Sequence, residues 1–180
     1  LLSSTSLSEP AQDTTTSEER QYTTLISLPE TASIETLYFG GGTPSLLTPQ
    51  ELGAFIRQVR QQWAHALLEE ITVEANPDDL TPEYLAALRQ EGVNRLSIGI
   101  QSFHDRDLQW MHRRHTARSA IEAVRAARQA GFDNLSIDLI YGLPHMTLEE
   151  WRDNLQQALA LRPEHLSAYH LTIEPQTPFG

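Results

Sequence analysis

Hydrophobic and polar residues alternate with two different periods along this chain, and the two periods follow one another in a regular order. Short apolar runs typical of strands are LYF, ITVEA, RLSIGI, LSIDLIYG and LSAYHLTI. Between them lie stretches in which apolar residues recur every three or four positions, as in amphipathic helices. The order strand, helix, strand, helix predicts βα units and therefore a parallel sheet or barrel.

The predicted helices carry their own start and stop signals. Thr48 is followed three residues later by Glu51, and Thr147 by Glu150, which is the pattern of a capping box. A proline directly after the capping residue suits the first helical position. On these signals, helices begin after Thr48, Thr81 and Thr147, HDRDLQWM forms a short helix, and the helix through Ala120 and Val124 ends at Gly131.

The first 33 residues differ in composition from the rest of the chain. LLSSTSLSEPAQDTTTSEER is rich in serine and threonine and has only weak periodicity, which is typical of linkers and disordered segments. We therefore predict a linker, disordered or divergent segment over residues 1–33 and a structured core over residues 34–180. Because the chain starts at Leu1 and ends in mid-pattern at TPFG, we expect a fragment of a longer protein.

One face of the later strands carries small or polar side chains. Successive strand residues point to opposite faces, and the helix-facing side of a (β/α) barrel strand must be apolar while the C-terminal strand ends build the active site. A doubly wound sheet buries both faces in apolar contacts. The alternation therefore predicts a partial (β/α) barrel of parallel strands. Its inner face is predicted to carry Thr72, Glu74, Ser97, Gly99, Gln101, Ser136, Asp138, His170, Thr172 and Glu174.

A run of three glycines, in LYFGGGTPSLL, directly follows the first predicted strand. Glycine permits positive φ and close approach of the backbone to another group. Two interpretations remain open at this point. The glycine backbone either contacts a small polar ligand or only makes a tight turn between strand and helix.

Composition removes several classes of function. The net charge is −11, lysine is absent, and all 13 basic residues are arginines. A lysine Schiff base is therefore excluded, and the lack of a basic cluster argues against nucleic acid as a partner. With no cysteine, this chain alone forms no disulfide and no cysteine-ligated zinc or iron–sulfur site. No apolar stretch is long enough for a membrane span, so a soluble, cytoplasmic protein is expected.

Five segments resemble, in order, the motifs of a known family. TLYFGGGTPSLL, VEANPDDL, NRLSIGIQSF, LSIDLIYGLP and HLSAYHLTIEPQTPFG are similar to motifs of the radical S-adenosylmethionine (SAM) family that contains oxygen-independent coproporphyrinogen III oxidase and haem chaperones. The resemblance covers about residues 34–180 and is closer to the haem chaperones. It implies a barrel open on one side, SAM at the C-terminal strand ends, and a role in haem or porphyrin metabolism, as a haem chaperone or an oxidase-like enzyme.

The resemblance also implies roles for individual residues. SAM carries a carboxylate, an ammonium group and ribose hydroxyls, which call for a guanidinium, a carboxylate and polar acceptors. Carried over one by one, Gly41, Gly42 and Thr43 would hold the methionine part, Glu74 would lie near the amino group, Arg113 would meet the carboxylate, Gln101 and Asp138 would contact the ribose, and Thr172 would lie near the adenine.

The chain departs from the family pattern in one respect. Family members hold a 4Fe–4S cluster on a Cys-x3-Cys-x2-Cys loop upstream of the glycine turn, and this chain contains no cysteine. The cluster is therefore expected only in an intact form with upstream cysteines, and this chain alone is expected to be inactive. Truncation and degeneration both remain open. Haem or a porphyrin is the further ligand that the resemblance implies.

Two other functions remain as alternatives. A metal-assisted barrel hydrolase could use Glu74, Asp138 and His170 at the strand ends, and the chain could also be a non-catalytic remnant. Three further histidines are expected on a solvated face rather than at a metal: His104, His112 and His115.

Overall fold

The computed structural model describes residues 33–63 and 65–172. Residues 1–32 lie outside the described residues, so the linker predicted there stays a prediction. Glu174, which the sequence suggested for the inner face of the last strand, also lies outside them.

In the described part of the chain, five parallel strands form one sheet in the order β1-β2-β3-β4-β5. Each strand pairs in parallel with the next one along the chain. This sequential order, without a reversal, is that of a barrel and differs from a doubly wound sheet. The partial (β/α) barrel predicted from the sequence is confirmed, with strands β1 (Thr36–Phe39), β2 (Glu70–Ala75), β3 (Arg95–Gln101), β4 (Asn134–Tyr141) and β5 (His165–His170).

The helices begin where the capping signals predict. Two of the helices begin with a threonine–glutamate capping box, formed by Thr48 with Glu51 and by Thr147 with Glu150. In each, the threonine side chain accepts a hydrogen bond from the glutamate N–H, and the glutamate side chain accepts one from the threonine N–H. These reciprocal bonds satisfy donors that have no partner in the first helical turn. The helices are α1 (Pro49–Gln62), α2 (Pro82–Gln90), α3 (Asp105–Trp110), α4 (Ala117–Gln129) and α5 (Leu148–Ala160), and short 3-10 turns cover Pro44–Leu46 and Pro77–Asp79.

The hydrophobic core lies between the sheet and the helices. On β2, β3 and β4, the side chains predicted to face the helices are buried, as at Val73, Ile98 and Ile137. Burial of one such aliphatic side chain stabilises the fold by about 1.5–3 kcal/mol. The opposite face of these three strands is left for polar groups, which positions the site. No helix within the described ranges is long and apolar enough to cross a membrane, and the cytoplasmic location stays a prediction.

The face predicted for the last strand is wrong. Ser167 pairs in register with Asp138, so Ser167 and then Tyr169 follow the inner face of the sheet. The His170 ring instead lies 5.3 Å from that of Tyr141, whose ring is also 5.3 Å from Trp151 of α5. His170 is therefore on the helix side.

The physical reason is a second, smaller apolar cluster of Leu108, Met111 and Leu143. Because Leu171 is apolar, it was predicted to face the helices, but it packs against this small cluster instead. Thr172 follows the end of β5 and is exposed. Where a strand ends in apolar contacts on its inner face as well, hydrophobicity alone does not tell which residues face the helices.

Candidate functional site

A cavity of about 330 Å³ lies at the C-terminal ends of the strands. Its size is within the range of about 300–1,000 Å³ that small-molecule sites occupy. Side chains from β2, β3, β4 and β5 contribute to its wall, together with the glycine turn and the segment between α3 and α4. Six residues predicted from the sequence line it: Gly42, Thr43, Glu74, Gln101, Arg113 and Asp138.

The glycine turn needs glycine for two separate reasons. Gly41 and Gly42 have φ of 83° and 59°, in the left-handed region that favours glycine. A Cβ atom on Gly40 would lie 2.6 Å from the Tyr38 ring and 3.0 Å from Glu74 Oε1. The turn therefore reverses the chain and brings the backbone close to Glu74, while its contact with a ligand stays a prediction.

The Glu74 carboxylate is held by the first strand and the glycine turn. Gly41 N–H donates to Glu74 Oε2 at 3.0 Å, and the Tyr38 hydroxyl donates to Oε1 at 2.8 Å. Burial and the neighbouring Glu74 carboxylate raise the pKa of Tyr38 to about 12. Tyr38 was not among the residues predicted for the site. The alternation of strand faces could have placed Tyr38 on the inner face, because Tyr38 points opposite to Leu37 and Phe39 in LYF.

Asp138 lies among serine hydroxyls. Ser97 Oγ is 2.9 Å from Asp138 Oδ2, and Ser136 Oγ is 3.3 Å from Oδ1. Burial raises the pKa of Asp138, while hydrogen bonds from Ser97, Ser167 and Ser136 act against that rise. The carboxyl group is therefore partly desolvated and fixed in direction, as suits an acceptor for ligand hydroxyls.

Gln101 reaches the cavity through an irregularity at the end of β3. Its φ of 69° is in the left-handed region, and the register between β3 and β4 shifts between Ile98 and Gln101. A Cβ atom on Gly99 would lie only 2.8 Å from the Gln101 side-chain nitrogen. The amide therefore occupies the space that the missing side chain of Gly99 leaves.

Arg113 contributes a guanidinium without a partner in the described part of the chain. Its Nε is buried and has no hydrogen bond there, and burial lowers the pKa of Arg113. Arg114 next to it is exposed and lies 3.6 Å from Asp78 and 3.4 Å from Asp79. Of the two adjacent arginines, Arg113 is the one that lines the cavity. A half-buried guanidinium with an unpaired, buried Nε favours an anion such as a carboxylate.

Two of the predicted site residues stand apart from the cavity wall. Gly41 is not part of the lining and donates its N–H to Glu74. Thr172 is exposed beyond β5 and does not belong to the lining. Tyr169 takes the β5 side of the cavity instead. Because His170 packs beside Tyr141, the hydrolase alternative lacks its histidine in the cavity.

The three histidines between 104 and 115 do not form a common site. The solvated face expected for His115 is wrong, because His115 is buried with Nε2 3.0 Å from the Ile100 carbonyl oxygen. His104 Nε2 lies 3.2 Å from Asp153. Among residues 33–63 and 65–172, no three His, Asp or Glu side chains are grouped so that they could hold a metal ion.

The residues present fit SAM but not an iron–sulfur cluster. The cavity combines a guanidinium that has no partner among the described residues, a fixed carboxylate and polar acceptors, which match the carboxylate, ammonium and ribose of SAM. A 4Fe–4S cluster requires cysteine thiolates, and this chain contains none. Residues of this chain therefore do not supply the usual cluster ligands.

Comparison with known proteins agrees with this site. A family model described as the radical SAM superfamily matches residues 9–158. The heme chaperone HemW of Bacillus subtilis is 36% identical over 173 residues, which are 96% of this chain and 46% of the relative. HemW of Escherichia coli is 42% identical over 147 residues, which are 82% of this chain and 39% of the relative. The chain thus spans less than half the length of these relatives.

Solved structures give the same result. A structure described as coproporphyrinogen III oxidase (HemN) from Escherichia coli, a radical SAM enzyme, has a TM-score of 0.69 and 32% identity over 79% of this chain and 33% of that chain. An archaeal Elp3 from Methanocaldococcus infernus has a TM-score of 0.70 over 81% of this chain and 38% of that one, and at 18% identity it shows the shared fold alone. Radical SAM proteins use SAM and a 4Fe–4S cluster. This chain belongs to the radical SAM superfamily and has HemW haem chaperones and a coproporphyrinogen oxidase among its relatives.

Proposed function

We propose that this chain is the SAM-binding core of a HemW-like protein that acts in haem or porphyrin metabolism. The observation that carries the proposal is the half-buried guanidinium of Arg113, whose buried Nε is unpaired among the described residues, in the same cavity as the fixed carboxylate of Glu74. A zwitterionic amino-acid group satisfies both charges at once. The names of the relatives, heme chaperone and coproporphyrinogen oxidase, support the metabolic setting.

In this proposal each part of SAM has a partner in the cavity. The carboxylate meets Arg113 and the ammonium group meets Glu74 beside the turn of Gly42 and Thr43. The ribose hydroxyls lie against Gln101 and Asp138, whose carboxyl is held by serines. For the adenine we now favour Tyr169 over Thr172, because Tyr169 lines the cavity.

Of the two haem-related activities, we favour the haem chaperone. The HemW relatives are 36% and 42% identical to this chain, whereas the coproporphyrinogen oxidase is 32% identical. When SAM is bound beside a cluster in an intact form, it supplies radical chemistry in this family. The residues of this chain bind and orient SAM. A haemin titration followed by the Soret band tests the haem part, and an unchanged free-haemin spectrum would contradict it.

Calorimetric titration with SAM tests the binding site. We expect saturable binding to the wild type and binding about 10-fold weaker or worse for Arg113→Gln, because a hydrogen bond to a charged group contributes about 1.5–3 kcal/mol. Arg114→Gln is the matched control, since Arg114 pairs with Asp78 and Asp79, and we expect it to bind like the wild type. Folded wild type that binds no SAM at millimolar concentration, or equal losses in both variants, would contradict the proposal.

A further inference from the structure

Within residues 33–63 and 65–172, the Glu74 carboxylate receives one donor on each oxygen. The Tyr38 hydroxyl donates to Oε1 at 2.8 Å, and Gly41 N–H donates to Oε2 at 3.0 Å. A carboxylate offers about four lone-pair sites on its two oxygens. Two sites therefore remain for a ligand after the protein has used two, and the two protein donors fix the plane of the carboxylate.

Tyr38 reaches Glu74 from the rim of the cavity, where its hydroxyl also lies near Ser97 of the wall. The cavity wall includes Glu74 but not Tyr38, and the Tyr38 side chain is 52% exposed. Its ring lies over Gly40, where a Cβ atom would approach Tyr38 Cε1 to 2.6 Å. A ligand can therefore enter the cavity while the Tyr38 hydroxyl stays on Glu74.

The Tyr38 hydroxyl is a donor over the whole physiological pH range. Burial and Glu74 raise the pKa of this phenol to about 12, so it stays protonated well above neutral pH. The neutral phenol adds no charge beside the ligand, unlike an arginine or lysine at the same place. It can therefore orient the carboxylate without cancelling the attraction of Glu74 for a cation.

We propose that Tyr38 is a positioning residue that orients the Glu74 carboxylate toward the ammonium group of the bound amino-acid part, and that Gly40 provides the space for this contact. The inference rests on the proposed SAM site and extends it to a residue outside the cavity wall. Without the hydroxyl, Gly41 N–H alone holds the Glu74 carboxylate, and the terminal torsion of Glu74 is less restricted, because that torsion has broad minima. We expect binding of an ammonium-bearing ligand to weaken about 3- to 10-fold, as for the loss of one hydrogen bond.

Three ligands separate this role from a general effect on the cavity. SAM carries both the ammonium and the carboxylate, decarboxylated SAM keeps only the ammonium, and methylthioadenosine has neither. We expect Tyr38→Phe to weaken SAM and decarboxylated SAM by the same factor and to leave methylthioadenosine unchanged. In a Glu74→Gln background, Tyr38→Phe should have no further effect, because the residue acts through Glu74.

Tyr84→Phe is the matched control. Tyr84 also has a pKa raised to about 12, and its hydroxyl donates to the Leu47 carbonyl oxygen at 3.0 Å, away from Glu74. We expect this variant to bind all three ligands like the wild type, and circular dichroism should show that each variant is folded.

The possible outcomes separate the two proposals. If the wild type binds SAM and Tyr38→Phe binds it equally well, the proposed role of Tyr38 is contradicted, but the proposed SAM site is not. Loss of methylthioadenosine binding in Tyr38→Phe, or a loss that persists in the Glu74→Gln background, overturns that role as well. Folded wild type that binds none of the three ligands overturns the proposed function and this inference with it.

Discussion

Three residues of the cavity wall are held in an unfavourable backbone conformation or environment: Gln101, Arg113 and Asp138. Gln101 has a φ of 69°, and a left-handed non-glycine residue costs about 1–3 kcal/mol. Burial lowers the pKa of Arg113 and raises that of Asp138, so it opposes the charged form of both. Strain and desolvation concentrated at one place are typical of a binding site, where a ligand offsets the cost.

Gly99→Ala tests the packing of the Gln101 amide. A methyl group there meets a flexible side-chain end at 2.8 Å, and Gly99 is outside the left-handed region. The amide should be displaced, so we expect SAM to bind about 10-fold more weakly, as for loss of a hydrogen bond and its alignment. The unfolding free energy in urea should stay the same or rise by up to about 1 kcal/mol, because alanine restricts the unfolded chain. Unchanged SAM affinity would show that the Gln101 amide does not contact the ligand.

Sequence alternation identified Glu74 and Asp138, because a period of two is reliable where the other face is uniformly apolar. Gln101 depends on a bulge that the pattern does not reveal. Tyr38 has the correct phase, but its role needs the distance to Glu74. At the level of single residues, the sequence predicts which groups face inward and leaves their hydrogen bonds to the structure.

Helix starts were predictable because their signals are local. Thr147 and Glu150 are three residues apart and bond to each other without help from the rest of the fold. The buried face of α1 was less predictable. The spacing of Leu52, Phe55 and Val59 predicts that Phe55 faces the core, but Phe55 is 55% exposed, whereas Ile56 is 1% exposed. Residues at i+3 and i+4 fit the apolar stripe almost equally well, and packing on the sheet decides between them.

The capping box of α5 predicts a pH dependence of stability. Hydrogen bonds from Thr147, followed by Arg106, lower the pKa of Glu150 from 4.5 to about 2. A depressed carboxyl pKa stabilises the folded state above the unfolded value, and this contribution is lost as the pH falls toward the folded value. The difference in unfolding free energy between wild type and Glu150→Gln should therefore be constant near neutral pH and shrink below about pH 4.5.

Glu149→Gln provides the control for this prediction. Glu149 lies in the same first turn of α5 but is not part of the capping box. Urea unfolding of the three proteins at several pH values gives the comparison. A difference for Glu150→Gln that stays constant down to pH 3, or one matched by Glu149→Gln, would contradict the role of the capping box.

The whole molecule brings distant parts of the chain to one end of a sheet. Strand order follows sequence order, so the C-terminal ends of β2 and β4 meet although Glu74 and Asp138 are 64 residues apart (138 − 74). This arrangement was predictable because the βα alternation implies parallel strands. The phase of β5 was not, since its inner face ends against the cluster of Leu108, Met111 and Leu143.

A second cavity of about 470 Å³ lies at the opposite, N-terminal ends of the strands. Its wall carries Glu35, Glu69, Glu70 and Asp133, with Arg89 as its basic residue. This acidic end is poorly suited to a ligand carboxylate. The two ends of the half-barrel therefore differ in charge, and SAM is expected only at the end that carries Arg113.

Hydrogen–deuterium exchange with and without SAM tests most directly which end of the sheet binds the ligand. The account predicts that SAM slows exchange in the glycine turn, residues 40–45, and in the segment around Arg113, residues 111–114, and leaves the N-terminal strand ends around Glu69 and Asp133 unchanged. Slower exchange at those N-terminal ends, or no change anywhere in folded protein at millimolar SAM, would contradict it.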